Sequence, residues 1–406
     1  MLPPERMRIG FPVVGDRSWI GGVNYILHLI KAVSSLPAAE KPESYLMFRK
    51  CFATSETIAL YREVFPHLRG LLYYGPEPEL GRLLGSQVHV RPDIESAFDL
   101  IDFVFPVIYD AADYPSASWI PDFQHKFMPE LFTTGEIAYR DGCFAKIAAH
   151  ASFAVFSSRA AAKDFRHFYP DSAAVSQVLH FRSLPEEKWF DENPRSVCAK
   201  YGLPSQFIMC CNQFWAHKDH HTLFSALARM KAQGHPVSLV CTGPTVDHRQ
   251  KATAYFAELQ QTVEELQISD QVRILGLIDR FEQIQLLRAS RAVVQPSLFE
   301  GWSSVVEDCR ALGKCIFLSD IEVHCEQQPQ PAFFFRAGDA ADLAGLLARE
   351  LPGLTPSLCH QLEEKALKGL ADEREKLGRA IVRLAKEGIG IHTRTKGQSP
   401  TAASPS

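Results

Sequence analysis

Residues 292–307 read AVVQPSLFEGWSSVVE. An aliphatic run halts at Pro296, a turn forms around Gly301, and helical composition resumes inside SSVVE. Strand, tight turn and helix in that order are the repeating unit of a parallel α/β sheet, in which each strand opens at its carboxyl end onto a helix start. The unit recurs on both sides. QFIMCCN (206–212), VSLVCTG (237–243), VRILGL (272–277) and KCIFLSD (314–320) read as strands, each followed by a helical stretch. Towards the N-terminus the same rhythm runs through MRIGFPVV (7–14), SYLMFRK (44–50), GLLYYG (70–75), IDFVFPVI (101–108), SWIPD (118–122), FAVFSS (153–158) and SQVLHF (176–181). Between the first two of these, Ile26, Leu29, Ile30 and Val33 fall on one helical face.

A polar stretch with Pro185, Pro194 and Pro204 breaks the rhythm, which then restarts. The restart predicts an α/β fold of two doubly wound, Rossmann-like parallel-sheet domains facing across a cleft, 1–185 and 186–370. Residues 371–390, with Leu377, Ile381 and Leu384 at helical spacing, predict a C-terminal helix packing back toward the first domain. Residues 391–406, rich in Ser, Thr, Pro and Gly, predict a disordered tail. Two loops, 75–95 and 108–118, carry no readable code.

Composition narrows the classes. The 406 residues hold 43 basic and 47 acidic side chains, a formal charge of -4, so no strong field draws the chain to nucleic acid. No apolar run reaches the roughly 20 residues that span a bilayer. MLPPERMRIG lacks the apolar core and cleavage site of a secretory signal, so a cytoplasmic protein is expected. The ten cysteines are scattered without a C-x-x-C pair and read as buried, reduced thiols.

The turn at 300–307 raises a chemical question. A helix starting near Ser303 or Ser304 leaves the N–H groups of Ser303, Ser304 and Val305 at the positive end of its dipole, suited to diphosphate oxygens. Glu300 and Glu307, on either side, are acceptors for sugar hydroxyls, Glu307 for a ribose diol. A capping box from Ser304 to Glu307 would explain one carboxylate and leave the other unexplained. In NQFWAHKDHH (212–221), Lys218 is either a solvated lysine or a cation for a diphosphate, and Asp219 is a helix N-cap. His217, His220 and His221 lack the partners of a zinc site, and no metal is expected. Gly21-Gly22, at the start of the first helix, permit close backbone approach to a phosphate or serve packing alone.

PSLFEGWSSVVEDCRALGK (296–314) followed by LSD resembles the hallmark of the family-four (group 1) retaining glycosyltransferases of GT-B architecture. GGVNYILHLIKAV, WIPDFQH, VFSSRAAAKDF, NQFWAHK, CTGP and ILGLIDRFEQIQLLRASRAVVQPS extend the match in the same order. The resemblance implies a second domain that binds a nucleotide-diphosphate sugar and a first that shapes the acceptor site. It implies catalytic roles for Glu300 and His125 at the transferred sugar. Lys218, Asn212, Gly21, Gly22, Ser303, Ser304 and Val305 would hold the diphosphate, and Glu307 the donor ribose.

Two departures stand out. The family leaves seven residues between its glutamates and this chain leaves six, which implies a turn one residue shorter. Asn212 stands where the family has an arginine six positions before the lysine, so either a replacement cation comes from Arg17 or Arg159 or the donor binds more weakly. The implied function is sugar transfer to an acceptor hydroxyl with retention, without cofactor or metal, in polysaccharide or glycolipid assembly. Its partners would be the nucleotide sugar and a saccharide or lipid-linked acceptor, with weak contact at the inner face of the membrane. The alternatives are a nucleotide-sugar epimerase on the same fold and a non-catalytic sugar-nucleotide-binding protein.

Overall fold

The computed structural model describes residues 6–16, 19–81, 84–85, 88–245 and 253–397. The chain forms two compact units. The first comprises Met1–Phe123, Ala138–Phe181 and Ala371–Ser406, and the second comprises Gln124–Ile137 and Arg182–Leu370.

The first unit holds eight strands: β1 (Arg8–Pro12), β2 (Glu43–Phe48), β3 (Gly70–Tyr74), β4 (Val88–Arg91), β5 (Phe103–Ile108), β6 (Ser116–Ile120), β7 (Phe153–Phe156) and β8 (Val175–Val178). Their order across the sheet is β4-β3-β2-β1-β5-β6-β7-β8, with every pair parallel. Pro106 brings no N–H to β5, and the β5–β6 register shifts between Val104 and Val107. The stretches 75–95 and 108–118, read from sequence as loops, contain β4 and the start of β6. β4, VHVR, lies at the sheet edge and is only half buried, so it lacks the apolar run that marks the inner strands.

The second unit holds β9 (Ile208–Cys210), β10 (Leu239–Cys241), β11 (Val272–Ile274), β12 (Ala292–Gln295), β13 (Ile316–Ser319) and β14 (Ala332–Phe335), in the order β11-β10-β9-β12-β13-β14 and again all parallel. The continuous apolar runs follow from burial on both faces. Ile208 and Cys210 join the core on one side with Leu239, Val294 and Phe317. Phe207, Met209 and Cys211 join that on the other with Val240, Val293 and Ile316.

A single helix runs Pro356–Gly397, and its residues are shared between the units at 370/371. In the first unit Leu377, Ile381 and Leu384 are buried along it. Gly378 sits where a Cβ would come within 2.5 Å of Ala32 O, and Gly388 where one would overlap Phe103. The two glycines let this helix press against the helix Ile20–Ser34 and against β5. The helix continues past the expected start of the disordered tail: Ile391 is buried, and Thr393 and Thr395 bond back to the carbonyls of Ile389 and Ile391. Residues 398–406 of that expected tail lie outside the described residues.

Among the described residues no helix is long and apolar enough to cross a membrane. Six of the ten cysteines are buried thiols, but Cys51 and Cys325 are exposed, correcting the expectation of uniformly buried thiols.

Candidate active site

β9 and β12 lie side by side, and from them the chain builds the sheet outward in opposite directions. At such a switch point the loops leaving the two strands part and open a crevice. The loop after β9 carries Asn212 and Lys218; the loop after β12 carries Glu300 and Ser303. A bond from Leu298 N–H to His217 O, 2.8 Å, ties the loops together.

Lys218 ends a short 3-10 turn, Ala216–Lys218. Asp219 follows with φ 50 and caps the helix His220–Ala232, its carboxylate accepting from Thr222 N–H at 3.2 Å. This sharp reversal directs Lys218 Nζ onto Glu300 Oε1, at 2.6 Å. Oε1 also accepts from Gln295 Nε2 at 2.8 Å and Ser297 Oγ at 2.7 Å. The Lys218 and Glu300 side chains are 10% and 9% exposed. Burial alone would raise the Glu300 pKa. The charge of Lys218, that of His324 where acid protonates it, and hydrogen bonds from Lys218 and Ser297 outweigh it and hold the carboxyl below its ordinary 4.5. Glu300 is therefore ionised at neutral pH, with Oε1 saturated and no bond to Oε2 among the described residues.

The helix Ser304–Ala311 starts where the sequence placed it, with Ser303 as N-cap. Ser303 makes no side-chain cap, and its N–H is occupied by Gln327 Oε1 at 3.2 Å, so of the three amides expected to meet an anion this one is engaged. Those of Ser304 and Val305 lie in the first turn, where no i−4 carbonyl exists to take them.

Glu307, expected at the ribose, is held by side chains of the second unit. It is fully buried, Oε1 accepts from Gln327 Nε2 at 3.0 Å, and Oε2 accepts from Arg182 Nη1 and Arg310 Nε, both at 3.1 Å. Both oxygens are thus engaged within the protein, and Glu307 forms no capping box with Ser304. The next residue, Asp308, stands eight positions after Glu300, which is the family's spacing of seven intervening residues. Asp308 Oδ1 and Oδ2 accept from Arg280 at 2.5 and 2.8 Å, and Ser183 Oγ donates to Oδ1. Next to Arg280, Gln283 Nε2 reaches Thr242 Oγ1 at the end of β10, 3.3 Å away.

Asn212 is buried and donates from Nδ2 to Cys210 Sγ at 3.5 Å, so its amide is turned into the sheet. Gly243, with φ 141, packs where any Cβ would overlap Asn212 O, which fixes the close approach of CTGP to the loop after β9. Of the cations considered as replacements, Arg17 lies outside the described residues, and Arg159 begins the helix Arg159–Phe168 of the other unit.

His125 is buried on the short helix Gln124–Phe127, in a segment that belongs with the second unit. Phe127 of that helix packs on Phe299, ring centroids 5.9 Å apart, which sets the His125 segment against the loop bearing Glu300. Gly21 and Gly22 lie in the first turn of the helix Ile20–Ser34, in the first unit, with the Trp19 ring against them; a Cβ on Gly22 would come within 2.9 Å of it. Trp19 in turn stacks on Trp119.

The three histidines beside Lys218 diverge: His220 stacks on Phe214, His221 faces Glu258 at 3.4 Å, and His217 packs by Trp215. Among the described residues no group of three or more His, Cys, Asp or Glu is placed to hold a metal ion.

Solved structures share this fold. HepE from Anabaena, solved with UDP and glucose, shares 16% identity over 97% of this chain and 99% of its own, with a TM-score of 0.59. Sucrose-phosphate synthase from Thermosynechococcus elongatus shares 14% over 97% and 100%, TM-score 0.58. A glycosyltransferase from Rickettsia africae shares 13% over 97% and 100%, TM-score 0.56. A search of curated proteins gives no match. Two parallel sheets with crossover helices and these neighbours define the α/β GT-B fold. The model of the family described as glycosyl transferases group 1 matches residues 200–368, a stretch that takes in Lys218, Glu300 and Asp308.

Proposed function

We propose that this protein is a glycosyltransferase that moves a sugar from a nucleoside-diphosphate sugar to an acceptor hydroxyl with retention of configuration and without a metal, in the assembly of a glycoconjugate. The observation that carries the reading is the meeting of Lys218 and Glu300 at the switch point of the second sheet, in one loop pair with the start of the helix Ser304–Ala311. HepE, of the same fold, was solved with UDP-glucose.

The bond from the sugar's anomeric carbon to the phosphate oxygen breaks, a bond to the acceptor oxygen forms on the same face, and the acceptor proton passes to the departing diphosphate. The barrier lies in charge accumulating on that diphosphate. Lys218 and the amides of Ser304 and Val305 oppose it with fixed charge and dipole in a site shielded from water. A diphosphate draws Lys218 from Glu300, whose carboxylate then holds sugar hydroxyls. Asp308, with seven residues between it and Glu300, takes the nucleoside ribose by exchanging one of its present partners, Ser183 or Arg280, for the diol. His125 stands at the sugar by resemblance, and its helix packs through Phe127 beside Glu300. Gly21 and Gly22 keep the diphosphate role only by that resemblance. The reaction belongs in the cytoplasm, at the inner face of the membrane where lipid-linked acceptors are built.

Thermal unfolding with UDP-, GDP- and ADP-sugars tests this: the true donor raises Tm through mass action, and Lys218→Ala removes the rise. Turnover of that sugar nucleotide without any acceptor would instead assign an epimerase. Binding with neither transfer nor hydrolysis would assign a non-catalytic binder.

A further inference from the structure

His324 lies on the helix Glu322–Gln327, directly after β13, and is fully buried. Its Nδ1 is 3.0 Å from Ser319 O and 3.1 Å from Ser319 Oγ. A backbone carbonyl has no proton to give. The Ser319 hydroxyl spends its own on Ser297 O, at 2.6 Å. Both contacts therefore require the proton to sit on Nδ1. Burial, opposed only in part by Glu300 and the Ser319 carbonyl, pushes the imidazole pKa down to about 4, so the ring is neutral at physiological pH. One proton on a neutral ring, fixed at Nδ1, leaves Nε2 as a bare lone pair.

Nε2 is buried and has no hydrogen-bond partner among the described residues. It sits within the electrostatic reach of both Glu300 and Lys218. Ser319 holds the ring and, through the Ser297 carbonyl, the same loop whose hydroxyl donates to Glu300. A buried acceptor left open is costly, and a native structure that keeps one calls for a reason, of which a ligand that completes it is one. Of the ligand's parts, a diphosphate has no proton to offer at neutral pH. Sugar hydroxyls do.

Resting on the donor reading above, we propose that His324 Nε2 accepts a hydrogen bond from a hydroxyl of the transferred sugar, so that His324 and the open Oε2 of Glu300 together read two of its hydroxyls. His324 is then a specificity residue: it contributes to the sugar and nothing to the nucleotide.

The test uses UDP-glucose, GDP-mannose and ADP-glucose, each beside its free nucleoside diphosphate, with dissociation constants measured by calorimetry. His324→Asn keeps a donor for the Ser319 carbonyl and removes the far acceptor. For whichever sugar nucleotide the unaltered protein binds, His324→Asn weakens affinity about ten-fold and leaves that of the matching diphosphate within two-fold. An equal loss for both ligands, or no loss for either, overturns the assignment to the sugar while leaving the donor reading intact. Binding of none of the six ligands by the unaltered protein overturns both. If His324→Asn fails to fold, His324→Gln, which retains an acceptor at its far end, must keep the preference for sugar nucleotide over diphosphate within three-fold, and its loss sinks the proposal.

Discussion

Lys218 Nζ and Glu300 Oε1 stand 2.6 Å apart although 82 positions separate them in the chain, and the two side chains share one mostly buried site. Removing one member of a buried pair leaves the other charge without compensation, at a cost of about 3 kcal/mol or more, whereas removing both is far milder. Lys218→Met and Glu300→Leu should each lower the urea midpoint strongly, and the double variant should recover most of the loss. Donor turnover should fall at least about 100-fold in all three and should not recover. Equal, additive stability losses in a double-mutant cycle would contradict the pairing.

Acid should weaken this protein in two stages. His324 has its folded pKa depressed from 6.5 to about 4, so between those values the unfolded chain binds the proton that the native one refuses, and stability falls as pH falls through that window, by on the order of 3 kcal/mol in total. Glu300, held below 4.5, contributes stability present above 4.5 and lost as pH drops through its lower folded value. Urea midpoints at pH 7 and 4.5 measure the first stage. His324→Leu should flatten the slope between them, and an unchanged slope would show that another group carries it.

The neighbouring carboxylates at 307 and 308 separate by experiment. Glu307→Gln disturbs a buried cluster with Arg182, Arg310 and Gln327, and should cost about 3 kcal/mol of stability with donor KM close to the unaltered value at a temperature where the variant is folded. Asp308→Asn should raise donor KM about ten-fold or more. The reverse pattern would return the ribose role to Glu307.

Glycine carries opposite consequences in two helices. Gly345, exposed in the helix Ala340–Glu350, has nothing within 4 Å of a Cβ, so Gly345→Ala should stabilise by about 0.5 to 1 kcal/mol. Gly378→Ala places a methyl against the backbone at Ala32, which a side-chain adjustment does not relieve, and should destabilise by about 1 to 3 kcal/mol. Thermal midpoints of the two variants moving in opposite directions would bear this out.

The inner strands were legible because a parallel sheet covered on both faces demands unbroken apolar runs, as in IMC, LVC and AVVQ. β4 escaped because an edge strand carries no such demand, and β14, AFFF, because the reading stopped at KCIFLSD. The meeting of Lys218 with Glu300 was legible as two loops at strand ends. The saturation of Glu307 was not, since Arg182 and Gln327 reach it from distant segments that no local pattern announces. Asp308 was within reach of simple counting. The grouping of Gln124–Ile137 with the second unit depends on pairs such as Phe127 with Phe299 that only the folded chain brings together.

The first unit draws on three separated stretches, the last beginning at Ala371. During synthesis the ribosome must therefore emit both sheets before Leu377, Ile381 and Leu384 can seal the interior near Ala32 and Phe103. Until then that earlier-made sheet waits with an apolar surface uncovered, while the later-made unit has everything it needs to close. Here the order of assembly runs against the order of translation, and a chain stopped short of Ala371 would leave its first half, not its last, unfinished.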